Sequence, residues 1–411
     1  MRSRGLAAIG ATCAVLLLAS ACGTDDEDSE TTGGGADTAS GTVKVGLLTP
    51  LSGPAAASYG EATRLGVEAR LAAYEAEDGE CAGLDFEIVE ADDASSPQGA
   101  LAGAQKLVQQ DEVYAILENS PFFYGATPFI TSQAQTVPVI GGAYDGAQEW
   151  SDTDDNMFQS FPVIDTAATY SYQGEYLESL GGTVFAGVSN SSPSSQASLD
   201  SVARSAEAVG LERGYINDTV PFGSTDVGAI VLGIMESGAD VVYTPTNSDI
   251  AFAILDGLRQ ADYPLKGFVV PTGYSNALLQ SEPAVAAAQG VSFQVFFSPV
   301  ELGTPEGLRL QEAFQGEGLE SGIPDFTQTI GYMNTDLFLY ALEQSGCEAT
   351  QTEVIETLQG ATWDAGGLYP EPIDFSVALQ DSLCVYYVKL EGEEFVPDEN
   401  ASPLCGERIE D

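Results

Sequence analysis

The sequence predicts an α/β protein with two doubly wound lobes. From Val43 onward, short β-rich apolar runs alternate with helical segments, the pattern of βαβ units and a mainly parallel sheet. The alternation runs through two series, which meet near "FQSFPVIDTAATY". Once the N-terminal segment and a linker are set aside, about 370 residues remain, more than one hydrophobic core usually serves.

In the first series "VKVGLL" reads as a strand and "YGEATRLGVEARLAAYEAE" as a helix with Leu65 and Ala69 on one face. The strand "LDFEIVEAD", helix "PQGALAGAQKLVQQ", strand "VYAILE", helix "ATPFITSQAQ" and strand "VPVIGG" follow. The second series gives helices at 165–179, 196–209, 226–236 and 249–261, separated by the strands "TVFAGVS", "GYINDTV" and "DVVYTPT" and closed by "GFVVPT". Beyond it, "GVSFQVFFSPV" reads as a return strand and "FTQTIGYMNTDLFLYALEQ" as a long amphipathic helix. "IDFSVAL" and "CVYYVKL" read as antiparallel or hinge strands. The expected organisation is an export signal at 1–21, a linker at 22–41, one lobe from 42–160 plus 292–370, and a second from 161–291 plus 371–411.

The export signal is read from Arg2 and Arg4, the apolar stretch Leu6 to Ala19, and small residues ahead of Cys22. A cysteine directly after such a segment resembles a bacterial lipobox, so Cys22 is the expected lipidation site and the expected membrane link. Residues 23–41 offer no aromatic or β-branched apolar residue to bury and read as a flexible linker. With 13 Lys+Arg against 62 Asp+Glu and a formal charge of −49, the chain is a poor partner for nucleic acid or anionic lipid. It has no histidine, hence no histidine general base or metal ligand. Four cysteines remain beyond Cys22, an even number that favours disulfides in an exported chain. Four allow three pairings. Locality favours Cys384 with Cys405, which leaves Cys81 with Cys347.

Open α/β sheets bind ligands at the carboxyl ends of their strands. The loops there are rich in Ser, Gly, Pro and aromatic residues: "TPLSGPAAASYG", "ENSPFFYGAT", "GGAYDG", "SNSSPSSQAS", "TPTNSD" and "VPTGYSN". A low-charge aromatic cleft in so acidic a chain points to a small-molecule pocket. The stretches "VKVGLLTPLSGPAAASYGEATRLGVEAR", "FEIVEADDASSPQGALAGAQKLVQQDEVYAILE" and "VPVIGGA" together resemble the extracytoplasmic solute-binding proteins of ABC importers, of the Leu/Ile/Val-binding, periplasmic binding protein type 1 kind.

The resemblance implies two Rossmann-like lobes joined by a three-crossover hinge, closing on a solute for delivery to a permease and its ATPase subunits. It implies a monomeric receptor with no cofactor, metal or catalytic group. By position it places Ser52 and Tyr59 in a first ligand loop, Ser120, Phe122, Phe123 and Tyr124 in a second, and Ala143, Tyr144 and Asp145 in a third. From the second lobe the loop chemistry adds Ser192, Asn247, Thr272 and Tyr274. Amino-acid-binding members use a second-lobe acid to hold the ligand ammonium; here Pro271, Thr272, Gly273 and Tyr274 stand at that strand end. The expected ligand is therefore apolar or aromatic and carries a carboxylate, the alternative being an amino acid held by Asp145. A ligand-sensing lobe for a membrane signalling partner shares the same fold. A hydrolase is disfavoured, since GxSxG and metal-ligand clusters are absent. Asp92 and Asp93, adjacent on a strand, point to opposite faces and are expected to cap the following helix.

Overall fold

The computed structural model describes residues 41–409 apart from 78, 144, 162–167 and 379–382. The export signal, Cys22, nearly all of the linker and Tyr144 lie outside the described residues. The first sheet has five parallel strands, β1 (Thr42–Thr49), β2 (Asp85–Asp92), β3 (Ala115–Glu118), β4 (Val139–Gly141) and β5 (Met157–Gln159), ordered β2-β1-β3-β4-β5. Helices α1 (Ala56–Ala76), α2 (Pro97–Gln109) and α3 (Thr127–Gln133) connect its strands. Central β1 is a near-continuous apolar run because both of its faces are covered.

Past a two-residue strand β6 (Thr169–Tyr170) lies the second sheet, with parallel strands β7 (Val184–Asn190), β8 (Glu212–Val220), β9 (Val241–Tyr243), β10 (Gly267–Val270) and β11 (Ser292–Val295). Its helices are α4 (Ser171–Ser179), α5 (Pro193–Ala208), α6 (Gly228–Ser237) and α7 (Ser248–Gln260), followed by the short α8 (Asn276–Leu279) and α9 (Glu282–Ala287). Cys384–Glu391 runs antiparallel to β11, and Glu394–Pro397 pairs with it in turn. The chain returns to the first sheet for α10 (Pro305–Gly316), α11 (Phe326–Ser345) and α12 (Gln351–Gln359) before its last strands.

Four local readings change. The helix expected from 165 begins at Ser171, because Thr169 and Tyr170 pair with Ile409 and Arg408 in a small antiparallel ladder. β11, expected on the first-lobe side of a boundary at 292, pairs with β10 in the second sheet. Among the described residues of "IDFSVAL", Ile373–Asp374 alone forms a strand, and its partner is Thr362–Trp363. Finally, α11 is buried on nearly every face, including the whole run from Thr329 to Leu339, so it is a core helix and not an amphipathic one.

That burial follows from how α11 meets α1. A Cβ on Gly66 would lie 2.0 Å from the Gln328 carbonyl oxygen, and one on Gly331 would lie 2.2 Å from that of Thr63. The two backbones touch where only glycine fits. Beside this crossing Arg70 donates Nε to Asp336 Oδ1 at 2.6 Å, while Trp363 Nε1 donates to Asp336 Oδ2 at 3.2 Å. Disulfides join Cys81 to Cys347 and Cys384 to Cys405. The first ties the α1–β2 connection to the segment after α11. Gly331→Ala should cost about 1–3 kcal/mol in a denaturant melt, even though alanine favours the helix by about 1 kcal/mol over glycine. A neutral or stabilising result would contradict the close crossing.

Candidate functional site

The α1–α11 crossing fixes where the two helices start, and both starts open on one cleft of about 1220 Å³. From the first sheet it is lined by Ser58 and Tyr59 of α1, Ala143, and the loop from Gly146 to Thr153. From the second it is lined by Asn190, the start of α5, Phe222, the Pro245–Asp249 loop and Pro271–Gly273. Asp325, Phe326 and Thr327 at the start of α11 complete the floor. The two sides touch across the cleft. Asn247 donates Nδ2 to Ser58 Oγ at 2.5 Å, and accepts at Oδ1 from Asn190 Nδ2 at 3.1 Å. At the rim the Phe122 and Phe222 rings lie 6.3 Å apart.

Of the residues expected at the site, Tyr59, Ala143, Asn247 and Thr272 line the cleft. Tyr274 lines only an adjoining chamber of about 20 Å³, and donates its hydroxyl to Glu301 at 2.7 Å. The others are engaged elsewhere. Ser52 is exposed and donates both its amide and its hydroxyl to Asp92, at 3.1 and 2.6 Å. Ser120 is buried, donating its hydroxyl to Asp93 and its amide to Glu118 Oε2 at 3.0 Å. Phe122 stands at the rim, Phe123 packs in the core against Trp150, and Tyr124 is turned outward at 38% exposure. Asp145 is buried, accepts from Trp150 Nε1 at 2.8 Å and from the Ala147 amide at 3.1 Å, and does not line the cleft. Its Oδ2 is buried with no hydrogen-bond partner among the described residues. Ser192 caps α5, accepting from the Ser195 amide at 3.3 Å ahead of Pro193.

Asp92 and Asp93 serve loops instead of capping α2, whose N-cap is Ser96. Asp92 Oδ1 accepts from the amides of Leu51, Ser52 and Ala94, and Asp93 Oδ1 from that of Ser95. Glu118, wholly buried, accepts from the amides of Ser120, Gly142 and Ala143. A Cβ on Gly141 would lie 2.0 Å from Glu118 Oε1, so glycine there gives the carboxylate its seat. The amides of Leu51, Ser52, Ser120, Gly142 and Ala143 and the hydroxyls of Ser52 and Ser120 are thus held by the protein's own carboxylates.

The sequence reading missed several lining residues. Phe161, Phe296 and Phe326 form an aromatic floor, with Phe161 4.9 Å from Phe296 and 5.7 Å from Phe326. Asp325 caps α11: its Oδ1 accepts from the Gln328 amide at 2.7 Å and lies 2.8 Å from Thr327 Oγ1, and Gln328 Oε1 accepts in return from the Asp325 amide. The "DFTQ" spacing of this capping box is legible in sequence. Burial pushes the Asp325 carboxyl above its ordinary value.

With this geometry in place, residues 42–393 match the family model described as periplasmic binding protein, and the chain belongs to that family. It is accordingly a binding protein of an extracytoplasmic receptor family and not an enzyme. No curated protein sequence matches it. Among solved structures it resembles a solute-binding protein of an ABC transporter from R. palustris in complex with benzoate (19% identity, 90% of this chain and 98% of that one, TM-score 0.72). It also resembles the branched-chain amino acid transporter substrate-binding protein LivJ from Streptococcus pneumoniae in complex with isoleucine (18%, 90% and 99%, TM-score 0.67). A fatty acid ABC transporter substrate-binding protein from Thermomonospora curvata is similar at 20% identity, 90% and 95% coverage, and a TM-score of 0.68. At these identities the shared property is the fold.

The buried acids set a pH dependence. Burial raises Asp93 and Asp145 to about 6 and Asp155 and Glu301 to about 7, and Glu118 rises well above its ordinary value. Each group keeps its proton to higher pH folded than unfolded. Its contribution is therefore complete below the ordinary carboxyl range and is lost as pH rises through the folded value. The melting temperature should fall between about pH 5 and about pH 7.5 in scanning calorimetry at constant ionic strength. A rise across that window would contradict the burial of these groups as acids.

Proposed function

We propose that the chain is a lipid-anchored extracytoplasmic receptor that closes on a small solute with an apolar or aromatic body and delivers it to an ABC permease with its ATPase subunits. The observation that carries this reading is the cleft of about 1220 Å³, floored by Phe161, Phe296 and Phe326 and bridged by the Asn247–Ser58 contact. Aromatic faces favour a flat or apolar body by area burial and stacking. The lobes are taken as 42–160 plus 296–370 and 161–295 plus 371–411, the boundary moved so that β11 belongs to the second sheet. A ligand touching both sides stabilises the closed state by its differential affinity, and no catalytic group is required. The receptor works as a monomer held at the outer face of the membrane by a lipid on Cys22, which keeps its local concentration high.

The test has two arms. In a thermal-shift screen of small metabolites, a ligand at about a hundred times its dissociation constant adds about 2.7 kcal/mol, a readily visible rise. Cys22→Ser should move the protein from the membrane fraction to the medium and leave that ligand's affinity unchanged. Retention of the variant in the membrane fraction would contradict the anchor, and a screen with no hit would count against the receptor reading.

A further inference from the structure

We infer that the solute carries a positively charged nitrogen, seated against Asp325 and flanked by the aromatic floor of the cleft. The inference rests on the receptor reading above and adds the charge of the ligand. A carboxylate end would need donors. The amides of Leu51, Ser52, Ser120, Gly142 and Ala143 and the hydroxyls of Ser52 and Ser120 are all held by Asp92, Asp93 or Glu118. A carboxylate entering the first-sheet loops would have to displace one of these acids and lie beside it, and the donors left to it elsewhere in the cleft, such as the hydroxyls of Ser194, Ser198 and Ser248, carry no charge.

The cleft also lacks anything cationic to attract an anion. Among the described residues that line it there is no Lys or Arg, while Asp152, Asp249 and Asp325 all do. Asp152 and Asp249 are exposed at the rim, so water screens them. Asp325 differs: it is half-buried on the floor, at the junction of both sides, with Oδ1 fixed by the helix cap.

An independent observation marks the same floor. Gln294, only 2% exposed, has neither amide atom hydrogen-bonded among the described residues. It lines the adjoining chamber, which shares Phe161, Phe296 and Phe326 with the cleft. An unpaired buried amide is costly, and a ligand donor at its oxygen or a ligand acceptor at its nitrogen would relieve that cost. An ammonium between Asp325 and these rings gains a charge-assisted hydrogen bond and cation–π attraction. Ser58 and Thr327, beside Asp325 at the helix starts, add hydroxyls of neutral character.

The test uses a panel of arylalkyl and quaternary amines beside the carboxylate and alcohol counterpart of each, screened by thermal shift on the full chain. Hits are then titrated calorimetrically into the native chain and into Asp325→Asn and Asp325→Ser, both of which keep a side chain able to cap α11. Hits confined to amines, weakened about ten- to a hundredfold by both substitutions, are the expected result. Binding of the carboxylates or alcohols with the amines silent would overturn the inference and leave the receptor reading standing. Amine binding unaffected by either substitution would overturn the assignment to Asp325. No hit in this panel, together with a hit of another charge class in the wider metabolite screen, would overturn the ligand charge. No hit in either would overturn the inference together with the receptor reading.

Discussion

The site depends on the contact of two helix backbones at Gly66 and Gly331. There α1 and α11 approach so closely that a methyl group on either glycine would overlap a carbonyl of the other helix. Such a contact leaves the pair little room to slide or rotate. One turn or two toward the N-terminus of each helix lie the residues that floor the cleft, Ser58 and Tyr59 on one and Asp325 to Thr327 on the other. Thr327 Oγ1 lies 2.8 Å from both the Ser58 carbonyl and Asp325 Oδ1, and its one proton, when donated to the carbonyl, ties the two starts together. The second sheet reaches this platform through Asn247, whose bond to Ser58 links the two sides of the cleft.

Around that platform the protein resolves an electrostatic problem with its own side chains. Strand ends of a parallel sheet present amides and hydroxyls that favour an anion. In this chain three acids fill those positions. Asp92 ties the β1 loop to the β2 loop, Asp93 holds Ser120, and Glu118 holds the loop after β4. The loops are thereby shaped before any ligand arrives, which reduces the ordering cost of binding. The acids that line the cleft are different ones, Asp152, Asp249 and Asp325, and they have no cationic counterweight among the described lining residues.

Much of this architecture was legible in sequence. The strand–helix alternation gives both sheets, and the local pairing of Cys384 with Cys405 leaves Cys81 for Cys347, as the structure has them. The ligand loops were found as loops, yet most of the side chains chosen within them do not face the cleft. The reason is that a loop residue's role depends on its partner, and the partners come from distant segments. Ser52 is taken by Asp92, 40 residues on, and Ser120 by Asp93, 27 residues back. Composition cannot register such pairings. The aromatic floor was missed for a related reason: Phe161, Phe296 and Phe326 come from three separate crossings of the chain and converge only in the folded protein. Asp325 carried a readable signal in its capping box, but that signal speaks to helix initiation and is silent about what the second carboxylate oxygen faces.

The acids of the first sheet are expected to keep their donors when the cleft is occupied. The most direct measurement is a crystal structure of the chain with a solute bound in the cleft, at a resolution that defines the carboxylates. The account predicts Asp92, Asp93 and Glu118 still bonded to the loops at residues 51–52, 120 and 142–143, with the ligand's polar end on Asp325. A ligand carboxylate accepting from the Ser120 or Ala143 amide, with Glu118 displaced, would contradict it.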